Sequence, residues 1–104
     1  MAKYSPKRIT YQQLDDLWDG FADVIIGLKS KENVKRFLKD LMNRQERLMF
    51  VRRLLVAKYL DEGFSYDTIQ KMLGVGRPTI ARVRRWLEFG RGGYKRAIRI
   101  LKKK

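Results

Sequence analysis

Hydrophobic residues recur along this chain with the period of an α-helix, in several successive segments. The first segment runs from Thr10 to about Leu28, and its apolar positions form one broad stripe: Leu14, Leu17, Trp18, Phe21, Ile25 and Leu28. Gly20 and Gly27 weaken this helix, and they mark a close crossing, a bend or an early end. Ser30 is suited to cap a second helix with these residues inward: Val34, Phe37, Leu38 and Leu41.

A third helix is predicted from Arg44 to Glu62, and its apolar residues are not confined to one face. Asn43 and Glu46 have the spacing of a capping box at its start, and Gly63 follows its end. Most of its circumference is apolar: Leu48, Met49, Phe50, Val51, Leu54, Leu55, Val56, Ala57, Tyr59 and Leu60. Such a helix is buried on several sides. We therefore expect a homodimer in which a second copy supplies part of the cover, with a monomer as the alternative.

Two short helices joined by a glycine turn are predicted over residues 65–89. Ser65 is an acceptable N-cap for the first helix, with Asp67 favoured in its first turn by the helix dipole, and Gly74 can take the left-handed backbone that ends it. Pro78 favours the start of the second. Apolar residues fall where the two helices need them for mutual packing: Ile69, Leu73, Val75, Ile80 and Val83. This is the layout of a helix-turn-helix that reads DNA.

The second of these helices, Arg77 to Phe89, has two different faces. Its predicted inward face contains Ile80, Val83 and Leu87, with Thr79 and Trp86 beside it. The opposite arc contains Pro78, Ala81, Arg82, Arg85 and Phe89, with Arg77 at the helix start and Arg84 towards the core edge. Small Ala81 allows close approach to bases, and the planar fork of arginine suits guanine edges and phosphates. A charged face that is merely solvated is the alternative reading.

Positive charge is concentrated in the C-terminal part of the chain. Residues 65–104 carry twelve Lys or Arg against two Asp or Glu, a net of +10 out of +14 for the whole chain. Such a field attracts a polyanion, and salt weakens the attraction. Because charge does not separate DNA from RNA, an RNA-binding or ribosome-associated basic protein remains an alternative. A monomeric adaptor that uses the motif to bind another protein is a third hypothesis.

The remaining composition limits the chemistry of the chain. Its 104 residues, 44% of them hydrophobic, predict one domain over residues 1–104 with one modest core. The chain has neither cysteine nor histidine, which excludes disulfides, a thiol nucleophile, a histidine base and an ordinary zinc site. We expect no enzyme and no metal. The absence of a long apolar run and of a hydrophobic N-terminal stretch predicts a cytosolic protein without membrane binding.

A basic C-terminal helix and tail are predicted over residues 94–104, after a flexible turn at Gly90 to Gly93. One stripe of this helix returns to the core: Tyr94, Ala97, Ile98 and Leu101. Its basic residues face solvent, where the tail is expected to touch DNA backbone without sequence preference.

The stretch from Asn43 to Leu87 resembles the Trp-repressor superfamily, and RWLEFGRGGYKRAIRIL from Arg85 to Leu101 resembles its TrpR-like YerC/YecD branch. The resemblance implies an all-α multi-helix domain that forms an intertwined homodimer. It also implies contacts with DNA at Gly76, Arg77, Pro78, Thr79 and Ala81. The basic residues beside them complete the predicted interface: Lys71, Arg82, Arg84 and Arg85. The family has an arginine at the position of Asp67, which is a departure here.

The resemblance further implies a ligand pocket in which two arginines sandwich an indole, at the positions of Arg52 and Arg82. Two neighbouring positions depart from the family pattern. Val83 replaces a smaller residue, and Trp86 replaces a serine that helps to hold the ligand. We expect the side chain of Trp86 to occupy the ligand space, and therefore no tryptophan corepressor; another effector is not identified by the sequence.

Together these patterns predict a dimeric, sequence-specific DNA-binding regulator of transcription, with repression the favoured mode. The second helix of the helix-turn-helix is predicted to read the major groove of double-stranded DNA.

Overall fold

The structure is a computed structural model that describes residues 8–103. Residues 1–7 and Lys104, the ends of the predicted domain and tail, lie outside the described residues. Within residues 8–103 every regular element is a helix, as predicted. The helices are α1 (Tyr11–Leu28), α2 (Lys31–Leu41), α3 (Arg44–Asp61), α4 (Tyr66–Leu73), α5 (Arg77–Phe89) and α6 (Gly93–Lys102).

The chain divides into two compact units between Leu41 and Met42. The N-terminal unit contains α1 and α2, joined by Lys29, whose φ of 60° is left-handed, and Ser30, which caps α2 as predicted. Its packing is largely aromatic, since the Phe21 ring lies 5.1 Å from that of Trp18 and 5.9 Å from that of Phe37. Neither helix has a buried residue. The apolar stripes predicted for these helices are therefore only partly covered in the single chain.

The two glycines of α1 do not interrupt the helix, and no atom of residues 8–103 packs closely on them. α1 continues unbroken through Gly20 and Gly27 to Leu28. A Cβ built at either glycine meets nothing within 4 Å in the described chain. The early end and the close crossing considered for these positions are therefore absent from residues 8–103.

The C-terminal unit is organised around α3, against which α4, α5 and α6 pack. Asn43 and Glu46 form the predicted capping box, with reciprocal hydrogen bonds of 2.9 and 3.0 Å. The helix ends at Asp61, one residue earlier than predicted, because Glu62 serves as its C-cap. The core consists of six buried residues: Val56, Ala57, Ile69, Ile80, Val83 and Ile98. These side chains join the three C-terminal helices to the second half of α3.

The first half of α3 is different, because its apolar side chains remain open. Leu48, Met49, Phe50 and Val51 are 36–53% exposed. α3, whose apolar residues cover most of its circumference, is therefore packed into the core along its second half and exposed along its first half.

The helix-turn-helix has the predicted backbone. The Ser65 side chain accepts a hydrogen bond from the Thr68 amide at 3.2 Å and caps α4. Gly74 ends α4 with φ at 65°, the left-handed conformation that glycine adopts without steric cost. α5 begins at Arg77, after Gly76 as N-cap. α6 begins at Gly93, one residue before the predicted start, because left-handed Gly92 forms its N-cap.

Candidate nucleic-acid interface

α5 presents one apolar and one solvent-exposed face, as its sequence predicts. Ile80 and Val83 are buried against α3 and α4, and Leu87 packs beside them. All residues predicted for the outer arc are exposed: Arg77, Pro78, Ala81, Arg82, Arg85 and Phe89. Arg84, Glu88 and Trp86 are exposed as well, although Trp86 was predicted beside the inward face. Because the buried face fixes the rotation of α5 about its axis, the basic arc faces solvent as a rigid surface.

The N-terminus of α5 is open to an anionic partner. Its N-cap, Gly76, offers no side-chain oxygen to the first amides of the helix. Pro78 lacks an N–H, so the remaining amides of the first turn carry the positive end of the helix dipole. Lys71, in the last turn of α4, is exposed, while Thr79 is half-buried. A phosphate or another anion suits this helix end.

Asp67 and Arg77 form an ion pair across the turn, between Oδ1 of the carboxylate and Nη2 of the guanidinium. The guanidinium carbon of Arg77 also lies 5.7 Å from the centre of the Tyr66 ring. Sequence reasoning placed Asp67 in the first turn of α4, which is correct, but did not find this pair. The available signal was the opposite charge of two residues that lie in the first turns of two successive helices.

Arg84 lies near Tyr66 as well, and it is engaged within its own helix. Its Nε donates a hydrogen bond of 3.0 Å to Oε1 of Glu88. The pKa of the Arg84 guanidinium is raised above its ordinary value, first by this hydrogen bond and then by Tyr66, whose ring centre is 6.0 Å away. Arg84 is therefore paired, whereas Arg82 and Arg85 form no ion pair within residues 8–103.

A groove of about 400 Å³ runs beside α5. Its lining residues are Arg53, Pro78, Thr79, Arg82, Val83, Trp86 and Tyr94. Arg82, Val83 and Trp86 are thus brought together as predicted, whereas Arg52 lines a neighbouring groove with Gly74 and Gly76. Arg53, which sequence reasoning missed, is the α3 arginine that shares the groove of Arg82.

Trp86 forms one wall of this groove. Its side chain is 45% exposed, and the Arg91 guanidinium carbon lies 5.8 Å from its ring. Trp86 also lines two further surface depressions, one of them with Ala81 and Arg85. That this indole excludes a free tryptophan stays a prediction.

Residues 8–103 contain neither a metal-binding cluster nor a membrane-spanning helix. No group of three or more acidic side chains there is arranged to hold a metal ion. None of the helices in this range combines the length and the hydropathy needed to cross a bilayer.

The sequence that forms α4, the turn and α5 lies within a match to a known protein family. The model of the family described as Trp repressor protein matches residues 16–102. The chain belongs to the Trp repressor family. This is a family of DNA-binding regulators of transcription, and the all-α fold expected from the resemblance is confirmed.

A curated relative agrees with this assignment. The chain is 36% identical over 87 residues to the uncharacterized protein YerC of Bacillus subtilis (strain 168). The match covers 84% of this chain and 80% of the relative. The resemblance to the YerC-like branch of the Trp repressor family is therefore confirmed as well, whereas the individual DNA-contacting residues stay predictions.

Proposed function

We propose that this Trp repressor family member is a sequence-specific DNA-binding regulator that inserts α5 into the major groove. The observation that carries the proposal is the exposed arc of α5. It combines arginines with small or compact residues on the face opposite the core: Arg77, Pro78, Ala81, Arg82 and Arg85. A recognition helix needs this combination, because compact residues let the backbone approach base edges that the arginines then read.

The charges around α5 support the same proposal. Glu88 is the acidic residue of α5, and Arg84 pairs with it. Of the other arginines of the exposed arc, Arg77 pairs with Asp67, whereas Arg82 and Arg85 form no ion pair with any residue of the described range 8–103. The exposed arc thus belongs to the C-terminal part of the chain, residues 65–104, which carries +10 of the +14 net charge and attracts a polyanion.

We further propose that two copies of the chain form the functional unit. Large apolar side chains on α1 and α3 are exposed in the single chain, among them Trp18 at 65%, Ile26 at 75% and Phe50 at 51%. Burying an exposed large apolar side chain stabilises an assembly by about 1.5–3 kcal/mol. This proposal treats residues 1–104 as a single domain of an intertwined homodimer. Two α5 helices related by a two-fold axis then reach successive major grooves, which are roughly 34 Å apart.

Selection from a random duplex library, followed by a salt titration, tests the DNA-binding proposal. We expect the selected duplexes to share a two-fold symmetric motif and to bind more tightly than random duplexes at every salt concentration. Equal binding of selected and random duplexes at every salt concentration would contradict sequence recognition. Structured RNA that outcompetes the selected duplexes would instead favour an RNA-binding protein.

Sedimentation at micromolar protein concentration tests the dimer. We expect about twice the 12.4 kDa mass of the chain. A species of single-chain mass across the whole concentration range would contradict the dimer.

A further inference from the structure

Asp67 and Arg77 connect the two helices of the motif by their side chains, although they are ten residues apart in sequence. Among the ion pairs of residues 8–103, theirs is the one that joins α4 to α5. Both side chains remain open to solvent, with 56% of Arg77 and 73% of Asp67 exposed. The pair therefore lies on the surface that the proposed function turns towards DNA.

We propose that Asp67 is a positioning residue that sets base specificity, because it orients Arg77 to read a guanine. The inference rests on the proposed function, since it requires α5 to lie in the major groove. It assigns to Asp67 a role beyond its favourable place in the first turn of α4.

The ion pair with Asp67 restricts the conformations of the Arg77 side chain. A free arginine side chain has many rotamers, and ordering it on binding costs conformational entropy. Here the carboxylate of Asp67 binds one side of the guanidinium, and the Tyr66 ring lies 5.7 Å from its central carbon. The pair thus orders Arg77 before DNA binds, which lowers the entropy cost of its contact. A guanidinium kept in one orientation favours the base whose acceptors match that orientation, and this raises the preference for that base over others.

Arg77 keeps free N–H donors after its contact with Asp67. A guanidinium carries five N–H donors in a fixed plane, and the contact with Asp67 is made at Nη2. Enough donors remain for the two parallel hydrogen bonds that arginine makes to O6 and N7 of guanine. Arg77 is also the first residue of α5, and the N-terminal residues of a recognition helix are those that reach base edges.

The negative charge of Asp67 also affects binding to DNA. A carboxylate beside the DNA backbone is repelled by phosphates, which weakens binding to every sequence alike. Its pairing with Arg77 offsets part of this repulsion, and the carboxylate competes with phosphates for the guanidinium of Arg77. Asp67 should therefore weaken binding to random duplexes and strengthen the preference for guanine over other bases. A residue with a purely structural role would not produce these two opposite effects.

The test compares four forms of the full chain: wild type, Asp67→Asn, Arg77→Ala and the double variant. Each is used to select duplexes from the same random library, and affinities are then measured for duplexes that differ at one base pair. Asp61→Asn is the matched control, because Asp61 also forms an exposed ion pair, with Lys102 at 2.9 Å, but lies at the end of α3. Thermal melting of every variant verifies that it folds.

We expect Arg77→Ala to lose preference for guanine at one position of the motif, by a factor of about 5–150. Asp67→Asn should reduce preference at that same position by roughly twofold or more. Asp67→Asn should also bind random duplexes more tightly than wild type. The plot of log affinity against log salt concentration should be steeper, by up to about one released counterion. In the double variant, Asp67→Asn should cause no further loss of base preference, and Asp61→Asn should leave the motif unchanged.

An unchanged preference in Asp67→Asn would overturn the inference while leaving the proposed function intact. The same holds if Asp67→Asn weakens all duplexes equally, or if its loss of preference persists without Arg77. If wild type selects no motif at all, the proposed function itself fails. Arg77→Lys provides a second measurement, since it keeps the charge but lacks the planar fork, and it should lose the guanine preference as Arg77→Ala does.

Discussion

Asp61 and Lys102 form an ion pair of 2.9 Å between Oδ2 and Nζ, which links the last residue of α3 to the last residue of α6. Both side chains are substantially exposed, at 40% and 53%. One turn earlier in α6, Ile98 is buried in the core with only 3% of its surface accessible. The same two helices are therefore joined by a polar contact in solvent and an apolar contact in the core.

The apolar contact should account for nearly all of the stability that α6 contributes. We expect Ile98→Ala to lower the free energy of unfolding by about 2–5 kcal/mol, because it leaves a cavity in the core. Lys102→Ala should lower it by about 1 kcal/mol or less, since exposed ion pairs are screened by water and salt. Urea unfolding at one fixed protein concentration measures both. Equal losses in the two variants would contradict this assignment.

Alanine should be tolerated at Gly93, the first residue of α6, but not at Gly90, which follows α5. A Cβ at Gly90 would overlap the carbonyl oxygen of Trp86 and lie 3.1 Å from its carbonyl carbon. Gly90→Ala should therefore displace the last turn of α5 and destabilise the chain by about 1–3 kcal/mol. At Gly93 a Cβ meets nothing within 4 Å, so Gly93→Ala should be neutral or stabilise by roughly 0.4–1 kcal/mol. Thermal melting distinguishes the two, and a larger loss in Gly93→Ala would be inconsistent with this geometry.

The helix boundaries could be predicted because the signals that set them are local. Ser65, Gly74 and the capping box at Asn43 act within one turn of the residues they cap, so a single chain segment contains the whole interaction. Lys29 is the exception: it takes a left-handed backbone that sequence reasoning assigns to glycine or asparagine. No local signal marks it.

The side-chain partners within the candidate site were harder to predict, because they depend on how separate helices meet. The pair of Asp67 with Arg77 needs the exact angle of the turn, and the hydropathy pattern does not contain that angle. The same reason explains why Arg53, and not Arg52, lines the groove of about 400 Å³ together with Arg82. The two arginines are adjacent in α3, so the rotation of α3 about its axis decides which of them lines this groove.

The contact between Arg84 and Glu88 should make no contribution to pH dependence near neutrality. The pKa of Arg84 is raised, first by its hydrogen bond to Glu88. A group with a raised pKa stabilises the fold below its unfolded-state pKa and loses that effect only as the pH rises through the folded-state pKa. For an arginine both lie far above neutrality. The difference in melting temperature between wild type and Arg84→Gln should therefore be the same at pH 6 and pH 9; a difference that changes across this range would argue against it.

Arg85 should be a direct contact of the proposed recognition helix. It lies on the exposed arc of α5, and no carboxylate of the described residues 8–103 forms an ion pair with it, which favours a contact of its guanidinium with DNA. Arg85→Ala should weaken binding to the selected duplex by about 1–3 kcal/mol if it reads a base, or reduce the salt slope by about one if it binds a phosphate. Arg36→Ala is the control, since it removes the same charge from an exposed position of α2. Equal losses in the two variants would reduce the role of Arg85 to its charge alone.

The exposed half of α3 should be the place where a single substitution separates the proposed dimer. Met49 is 46% exposed and lies among apolar neighbours that the single chain leaves uncovered. A glutamate buried there without a partner would lose hydration at a cost of several kcal/mol, so Met49→Glu should shift the equilibrium towards single chains. Met72→Glu is a matched control, because Met72 is the same residue type with 47% exposure but lies on α4. Sedimentation of both variants at equal concentration should show a mass near 12.4 kDa only for Met49→Glu. If Met49→Glu keeps the wild-type mass while remaining folded, the first half of α3 is not the surface that joins the two copies.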